Sequence, residues 1–169
     1  MLVVLSGLPG SGKTTIGRAV AEMLTAAYVR IDALEAAMWR AGIAREQPTG
    51  LAAYVVAEAV AEGCLHTGSS VVVDAVNAVE AARQTWRDLA ARMHKPLRII
   101  EVICSDAAEH RRRVEARGVD LEGHYVPTWA DVVGREYEPW QEPHLVVDTS
   151  QSLAECRLQI EEYLTEESA

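Results

Sequence analysis

Gly7-Leu8-Pro9-Gly10-Ser11-Gly12-Lys13-Thr14 is the stretch that decides the fold. It fits G-x-x-x-x-G-K-[ST] at every position, and its setting fits as well. The apolar run Leu2 to Ser6 before it reads as a buried strand, and residues 13–26 after it place Ile16, Val20 and Leu24 at helical spacing. Each part has a task on a triphosphate. The glycines let consecutive amides curl around phosphate oxygens. Lys13 reaches the β- and γ-phosphates, and Thr14 offers a hydroxyl to Mg²⁺. The helix that follows points its positive end at the same phosphates. Gly7, Pro9, Gly10, Ser11, Gly12, Lys13, Thr14 and Thr15 are therefore the expected nucleotide-binding residues.

Further along, short apolar runs alternate with helical segments. Strands are expected at 28–31, 71–74, 97–104 and 144–148. Helices are expected at 32–41, 51–66, 80–93, 107–117, 129–137 and 153–164, with loops at 43–50 and 118–127. Continuously apolar strands alternating with helices imply a parallel sheet covered on both faces. Right-handed crossovers put the strand C-terminal ends on one edge, where ligands bind. No repeat or linker divides the chain, so 1–169 reads as one domain.

Two aspartates stand at strand ends near the cradle. Asp32 closes the 28–31 strand and opens a helix. Phosphoryl transfer to an alcohol needs a carboxylate to orient the hydroxyl and accept its proton, and Asp32 is the candidate, although Asp also suits an N-cap. Glu35 shares its helix face. Asp74 ends Val71-Val72-Val73, an apolar-run-then-acid pattern that suits a Mg²⁺ ligand and equally a strand-terminating turn residue. Asn77 either touches an acceptor or caps the next helix. The densest basic stretch, His110 to Arg117, offers Arg113 and Arg117 at i, i+4 spacing to a transferring phosphoryl group, with Arg113 also expected to contact the nucleotide. The competing reading is a solvated face paired with Glu109 and Glu115. Arg135 is a further candidate. Trp39, Tyr54 and Met38 are the expected acceptor-pocket walls, with Arg40 or Arg45 as partner for an anionic acceptor.

The 169 residues carry a formal net charge of −9, which argues against general affinity for nucleic acid or anionic membrane. Cys64, Cys104 and Cys156 have no metal-ligand spacing and read as buried hydrophobes of a reducing compartment. No apolar stretch is long enough to span a bilayer. A cytoplasmic monomer or homodimer is expected.

With these residues in hand, the chain resembles the small P-loop kinases related to shikimate, gluconate and adenylylsulfate kinases and to chloramphenicol phosphotransferase. It also looks like bacterial predicted kinases labelled AAA-family ATPases. The resemblance rests on the Walker A loop, Asp32 and the arginine helix. It implies a three-layer sandwich around a five-stranded parallel sheet in the order 2-3-1-4-5, a lid at about 117–130, and ATP with Mg²⁺ as donor. Departures bear on the substrate. Asp74-Ala75-Val76-Asn77 replaces the triple glycine of shikimate kinases, and Glu35 stands where polynucleotide kinases place an arginine. The expected activity is transfer of the γ-phosphate to a hydroxyl of a small molecule. A kinase acting on a nucleic acid end and a non-catalytic nucleotide switch are the competing readings.

Overall fold

The computed structural model describes residues 1–118 and 125–166. Part of the lid expected at 117–130, residues 119–124, lies outside the described residues. The elements run β1 (Leu2–Ser6), α1 (Lys13–Leu24), β2 (Ala27–Arg30), α2 (Ile31–Arg40), α3 (Thr49–His66) and β3 (Val71–Asp74). There follow α4 (Glu80–Arg92), β4 (Leu97–Ile103), α5 (Ala107–Glu115), α6 (Trp129–Val133), β5 (Leu145–Asp148) and α7 (Leu153–Thr165).

The strands form one five-stranded parallel sheet in the order β2-β3-β1-β4-β5. β1 lies at its centre and all five of its residues are buried. Alternate residues feed two separate cores, as the pleat requires. Leu2 and Val4 face a cluster that includes Val71, Val73, Ala57, Leu65 and Trp86. Val3 and Leu5 face the opposite one, with Val72, Ile100, Ile16, Val20 and Ile160. Helices α3 and α4 thus cover one face, and α1 and α7 the other. The result is the three-layer sandwich expected from the apolar runs.

Helix starts follow local chemistry. Asp106 accepts the amides of Ala108 and Glu109 to open α5, and capping boxes Thr128/Asp131 and Ser152/Glu155 open α6 and α7. Four boundaries differ from expectation in ways that matter. β2 ends at Arg30 and α2 begins at Ile31, so Asp32 lies inside the first helical turn and is not the N-cap. α3 begins at Thr49, two residues early. α5 stops at Glu115, so Arg117 leaves the helix that carries Arg113. α6 stops at Val133, which leaves Arg135 in the segment after it. Among the described residues no helix is long and apolar enough to cross a membrane.

Candidate functional site

The site forms where β1, β2 and β3 end on one edge of the sheet. The loop after β1 turns back tightly enough that only glycine fits at two points. A Cβ on Gly7 (φ +136) would lie 2.2 Å from Val102 O, and one on Gly10 (φ +81) 2.5 Å from Val114 Cγ2. The loop is pinned from two sides. Gly7 N and Ser6 Oγ both donate to Val76 O after β3. His110 on α5 meets Pro9 O through Nε2 at 2.8 Å. The sequence gives little warning of that contact, because His110 sits in a basic run that reads as solvent-facing.

Lys13 and Thr14 open α1 at the mouth of this loop. Lys13 Nζ donates to Leu8 O at 2.8 Å, and the side chain is buried. Burial lowers its pKa to about 8, against the opposing pull of Asp74 and Asp32. Thr14 Oγ1 donates to Asp74 Oδ2 at 3.0 Å. Tyr28 donates to the same oxygen at 2.5 Å, and burial beside that carboxylate raises its phenol pKa. Arg30 stands between two acids, 3.5 Å from Asp32 Oδ2 and 4.0 Å from Asp74 Oδ2. Neither Tyr28 nor Arg30 was a sequence candidate. Their i, i+2 spacing on β2 is the signal that places both on one face of the sheet.

A cavity of about 500 Å³ joins these groups to a second set. Its floor holds Lys13, Thr14, Asp32 and Asp74, and Arg30, Arg117 and Arg135 also line it. Glu35, Trp39 and Tyr54 form the wall supplied by α2 and α3. That wall is organised by Thr49. Trp39 Nε1 donates to Thr49 Oγ1 at 3.0 Å, and Thr49 Oγ1 donates to Glu35 Oε1 at 2.8 Å. Tyr54 OH accepts the amide of Asn77, and burial pushes its pKa up to about 12.

Other expectations meet a different arrangement. Asn77 neither lines the cavity nor caps α4. It is fully buried, donates Nδ2 to Leu5 O and accepts Trp86 Nε1, which locks the turn after β3 to the sheet. Met38 packs on the core and not on the cavity. Arg45 stacks over the Trp39 ring outside the lining, and Arg40 is exposed. Arg113 and Arg117 part company. Arg117 lines the cavity, whereas Arg113 binds Glu109 and donates to Thr149 Oγ1 and Thr149 O at 2.8 and 2.9 Å. Thr149 Oγ1 in turn donates to Ser11 O at 2.7 Å. Arg113 therefore braces the phosphate loop from outside. Arg111 and Arg112 form the surface ion pairs with Glu115 and Glu109 that the competing reading describes.

The donor set suits magnesium, which keeps several waters and takes one or two protein oxygens. Thr14 Oγ1 and Asp74 Oδ2 are two such oxygens, side by side next to Lys13.

The profile of the family described as AAA domain, AAA_33, matches residues 2–129. The chain belongs to that family. No curated protein matches the sequence significantly. Among solved structures, a Chloroflexus aurantiacus protein provisionally described as a kinase shares 22% identity at a TM-score of 0.79, over 97% of this chain and 98% of that one. Chaetomium thermophilum Kti12, solved with ADP-AlF3, shares 20% identity at 0.76 over 100% of each chain. Mycobacterium tuberculosis APS kinase CysC, solved with AMPPNP and APS, shares 18% identity at 0.68 over 98% of this chain and 97% of that one. The chain shares the fold of these structures, with its strands in the order β2-β3-β1-β4-β5.

Proposed function

We propose that this protein transfers the γ-phosphate of ATP to a hydroxyl group of a small molecule. The observation that carries the reading is the cavity itself, in which the phosphate loop and Asp32 share one floor and an aromatic and acidic wall stands beside them. A nucleotide switch needs the first half of that arrangement and has no use for the second.

The loop amides and Lys13 hold the triphosphate. Thr14 and Asp74 would hold Mg²⁺, which when bound neutralises charge on the β- and γ-phosphates. Arg30 fixes the Asp32 carboxylate from one side. Asp32 accepts the proton of the acceptor hydroxyl as its oxygen forms a bond to the γ-phosphorus. The bond from that phosphorus to the β–γ bridging oxygen breaks, and ADP leaves with the electron pair. Arg117 and Arg135, on the cavity wall, stabilise charge on the transferring group. The acceptor packs its body on Trp39 and Tyr54, with Glu35 held by Thr49 to receive a second polar group.

Coupled ADP release with Mg·ATP, run against pooled sugars, nucleosides, hydroxy acids and amino-alcohol antibiotics, tests the reading. Nucleic acid 5′-ends form one further pool. One small-molecule pool should raise the rate, and Asp32→Asn should lower it by about 10²- to 10⁴-fold while nucleotide still binds. Tight nucleotide binding with no pool raising turnover, or an Asp32→Asn variant as active as wild type, counts against it.

A further inference from the structure

Tyr28 reaches the Thr14–Asp74 pair from a distance. The register of β2 and β3 sets Tyr28 opposite Val72, and Arg30 opposite Asp74. Tyr28 therefore starts two residues, about 6.6 Å of strand, short of the carboxylate it bonds. Its ring leans along the sheet toward the strand ends and delivers the hydroxyl to Asp74 Oδ2 at 2.5 Å. That path runs beneath α1, and α1 has a notch there. A Cβ on Gly17 would lie 2.8 Å from Tyr28 Cε2 and 2.6 Å from Leu5 Cδ1, so buried side chains would have to shift. Gly17 is itself buried inside the helix, where glycine carries an entropic cost against alanine. It stands three residues after Thr14, which puts both on one helix face. From that face Thr14 supplies a hydroxyl and Gly17 supplies room.

We propose that Tyr28 is a positioning residue for the magnesium site. It holds the Asp74 carboxylate in the orientation that Mg·ATP needs, and the notch at Gly17 lets it do so. The inference rests on the reading of Thr14 and Asp74 as the metal's protein oxygens, and it adds the residue that orients one of them.

The chemistry follows from the two bonds to one oxygen. Asp74 Oδ2 accepts Thr14 Oγ1 at 3.0 Å as well as the Tyr28 phenol. A threonine hydroxyl has one proton and two lone pairs. With its proton on Asp74, Thr14 still has a lone pair for the ion, but its bond to the carboxylate must then adjust to a second partner. The Tyr28 bond comes from β2, on the far side from the loop, and need not move. It keeps the carboxylate from turning while Thr14 serves two partners. Asp74 is 3% exposed, so solvent is a poor substitute for that donor. A competitor stands close by, since Arg30 Nε lies 4.0 Å from the same Oδ2. Without the phenol, Asp74 is drawn toward Arg30 and away from the ion. Groups that orient a metal's ligands typically change its affinity by about 10- to 100-fold.

Calorimetric titration of ATP in magnesium and in EDTA, with no acceptor present, reads the metal-linked part of the affinity. Tyr28→Phe keeps the ring in the notch and removes the hydroxyl. It should weaken Mg·ATP binding by about 10-fold and leave binding in EDTA nearly unchanged. Gly17→Ala drives a methyl into the ring and should give a metal-linked loss with the hydroxyl still present. In the Tyr28→Phe background, Gly17→Ala should add little to that loss, because both act through one bond. Tyr28→Phe decides the positioning role by itself should Gly17→Ala not fold. Asp74→Ala, titrated alongside, keeps the two readings apart. A metal-linked loss in Asp74→Ala with none in Tyr28→Phe overturns the positioning role and leaves the metal site standing. A Tyr28→Phe loss equal with and without magnesium overturns it too, since a purely structural tyrosine gives that result. A normal metal response in Gly17→Ala overturns the notch. No metal-linked loss in Asp74→Ala removes the metal site, and the positioning role with it. Binding alone is read, so none of these outcomes depends on phosphotransfer.

Discussion

Thr14 Oγ1 and Asp74 Oδ2 lie 3.0 Å apart, although 60 residues separate them in the chain. The contact exists because β1 and β3 are paired in parallel with Leu5 opposite Asp74, so the loop leaving one strand meets the end of the next. Tyr28 of β2 closes the group from the far side. Three successive positions across the sheet, β2, β3 and β1, thus deliver one side chain or loop each to a single point.

If that point holds magnesium, Asp74→Ala should weaken Mg·ATP binding by about 10- to 100-fold and leave binding of ATP in EDTA nearly unchanged. Titration calorimetry with and without the metal separates the two. Thr14→Ala should act in the same direction. The double variant should lose less than the sum of the two, because both groups serve one ion. Equal losses with and without magnesium would place Asp74 in the fold and not in the metal site.

Lys13 gives a pH dependence of two opposite signs. Its folded pKa is lowered by burial to about 8, from a value of 10.5 in the open chain. Between those values the unfolded chain binds more protons, so the free protein gains stability as pH rises from about 8 to 10.5. The gain amounts to roughly 3 kcal/mol over the full window. Below 8 both states carry the charge and Lys13 contributes no slope. A triphosphate needs the ammonium, so affinity for ATP should fall as pH rises through about 8. Loss should approach ~10-fold per pH unit beyond it. Lys13→Met should flatten both curves. Denaturant melts and nucleotide titrations over pH 7 to 10 would show it, and an ATP affinity independent of pH in wild type would contradict the assignment.

Arg83 is a buried cation whose hydrogen bonds, among the described residues, all go to backbone carbonyls. It donates to the carbonyls of Asn77, Pro139 and Glu138 and lies over the Trp140 ring at 4.1 Å. It therefore staples the segment after α6 to the turn after β3. Arg83→Met fills the space and leaves three carbonyls without their donor. A loss of about 3–5 kcal/mol follows, by analogy with broken buried charge networks. Thermal melting should fall by on the order of 10 °C. Arg83→Lys keeps the charge and loses the fork, so it should recover less than half of the difference. Recovery to wild-type stability would show that charge alone suffices.

The fold is most readable where consecutive residues set one element. The loop from Gly7 to Thr14 is such a case, and so is the run Val71 to Asp74, since a buried strand followed by an acid needs no knowledge of its neighbours. Legibility failed where a side chain answers to distant partners. Asn77 looks like a loop residue facing a ligand, but its partners Leu5 and Trp86 lie 72 and 9 residues away and draw it into the core. Tyr28 and Arg30 were hidden for the same reason. Their importance comes from Asp74 on the neighbouring strand, which pattern along β2 cannot show. The i, i+4 spacing of Arg113 and Arg117 puts them on one face only inside a helix, and α5 ends at Glu115.

That last difference separates two arginines by experiment. Arg117 lines the cavity, and its removal should act on chemistry. Arg117→Ala should lower kcat by roughly 10²-fold or more, as loss of a charge on the transferring group does, with the melting temperature nearly unchanged. Arg113 reaches the phosphate loop through Thr149, whose hydroxyl holds Ser11 O. Arg113→Ala should loosen that loop, weakening nucleotide binding by a few-fold to 10-fold and lowering stability by about 1–2 kcal/mol. Thr149→Val should copy the Arg113 effect, because it cuts the same chain of bonds, and should leave the Arg117 effect untouched. Turnover, nucleotide titration and melting on the three variants decide it. A large kcat loss in Arg113→Ala with normal nucleotide affinity would mean that this arginine swings to the phosphate during the reaction, contrary to the bracing role its three bonds describe.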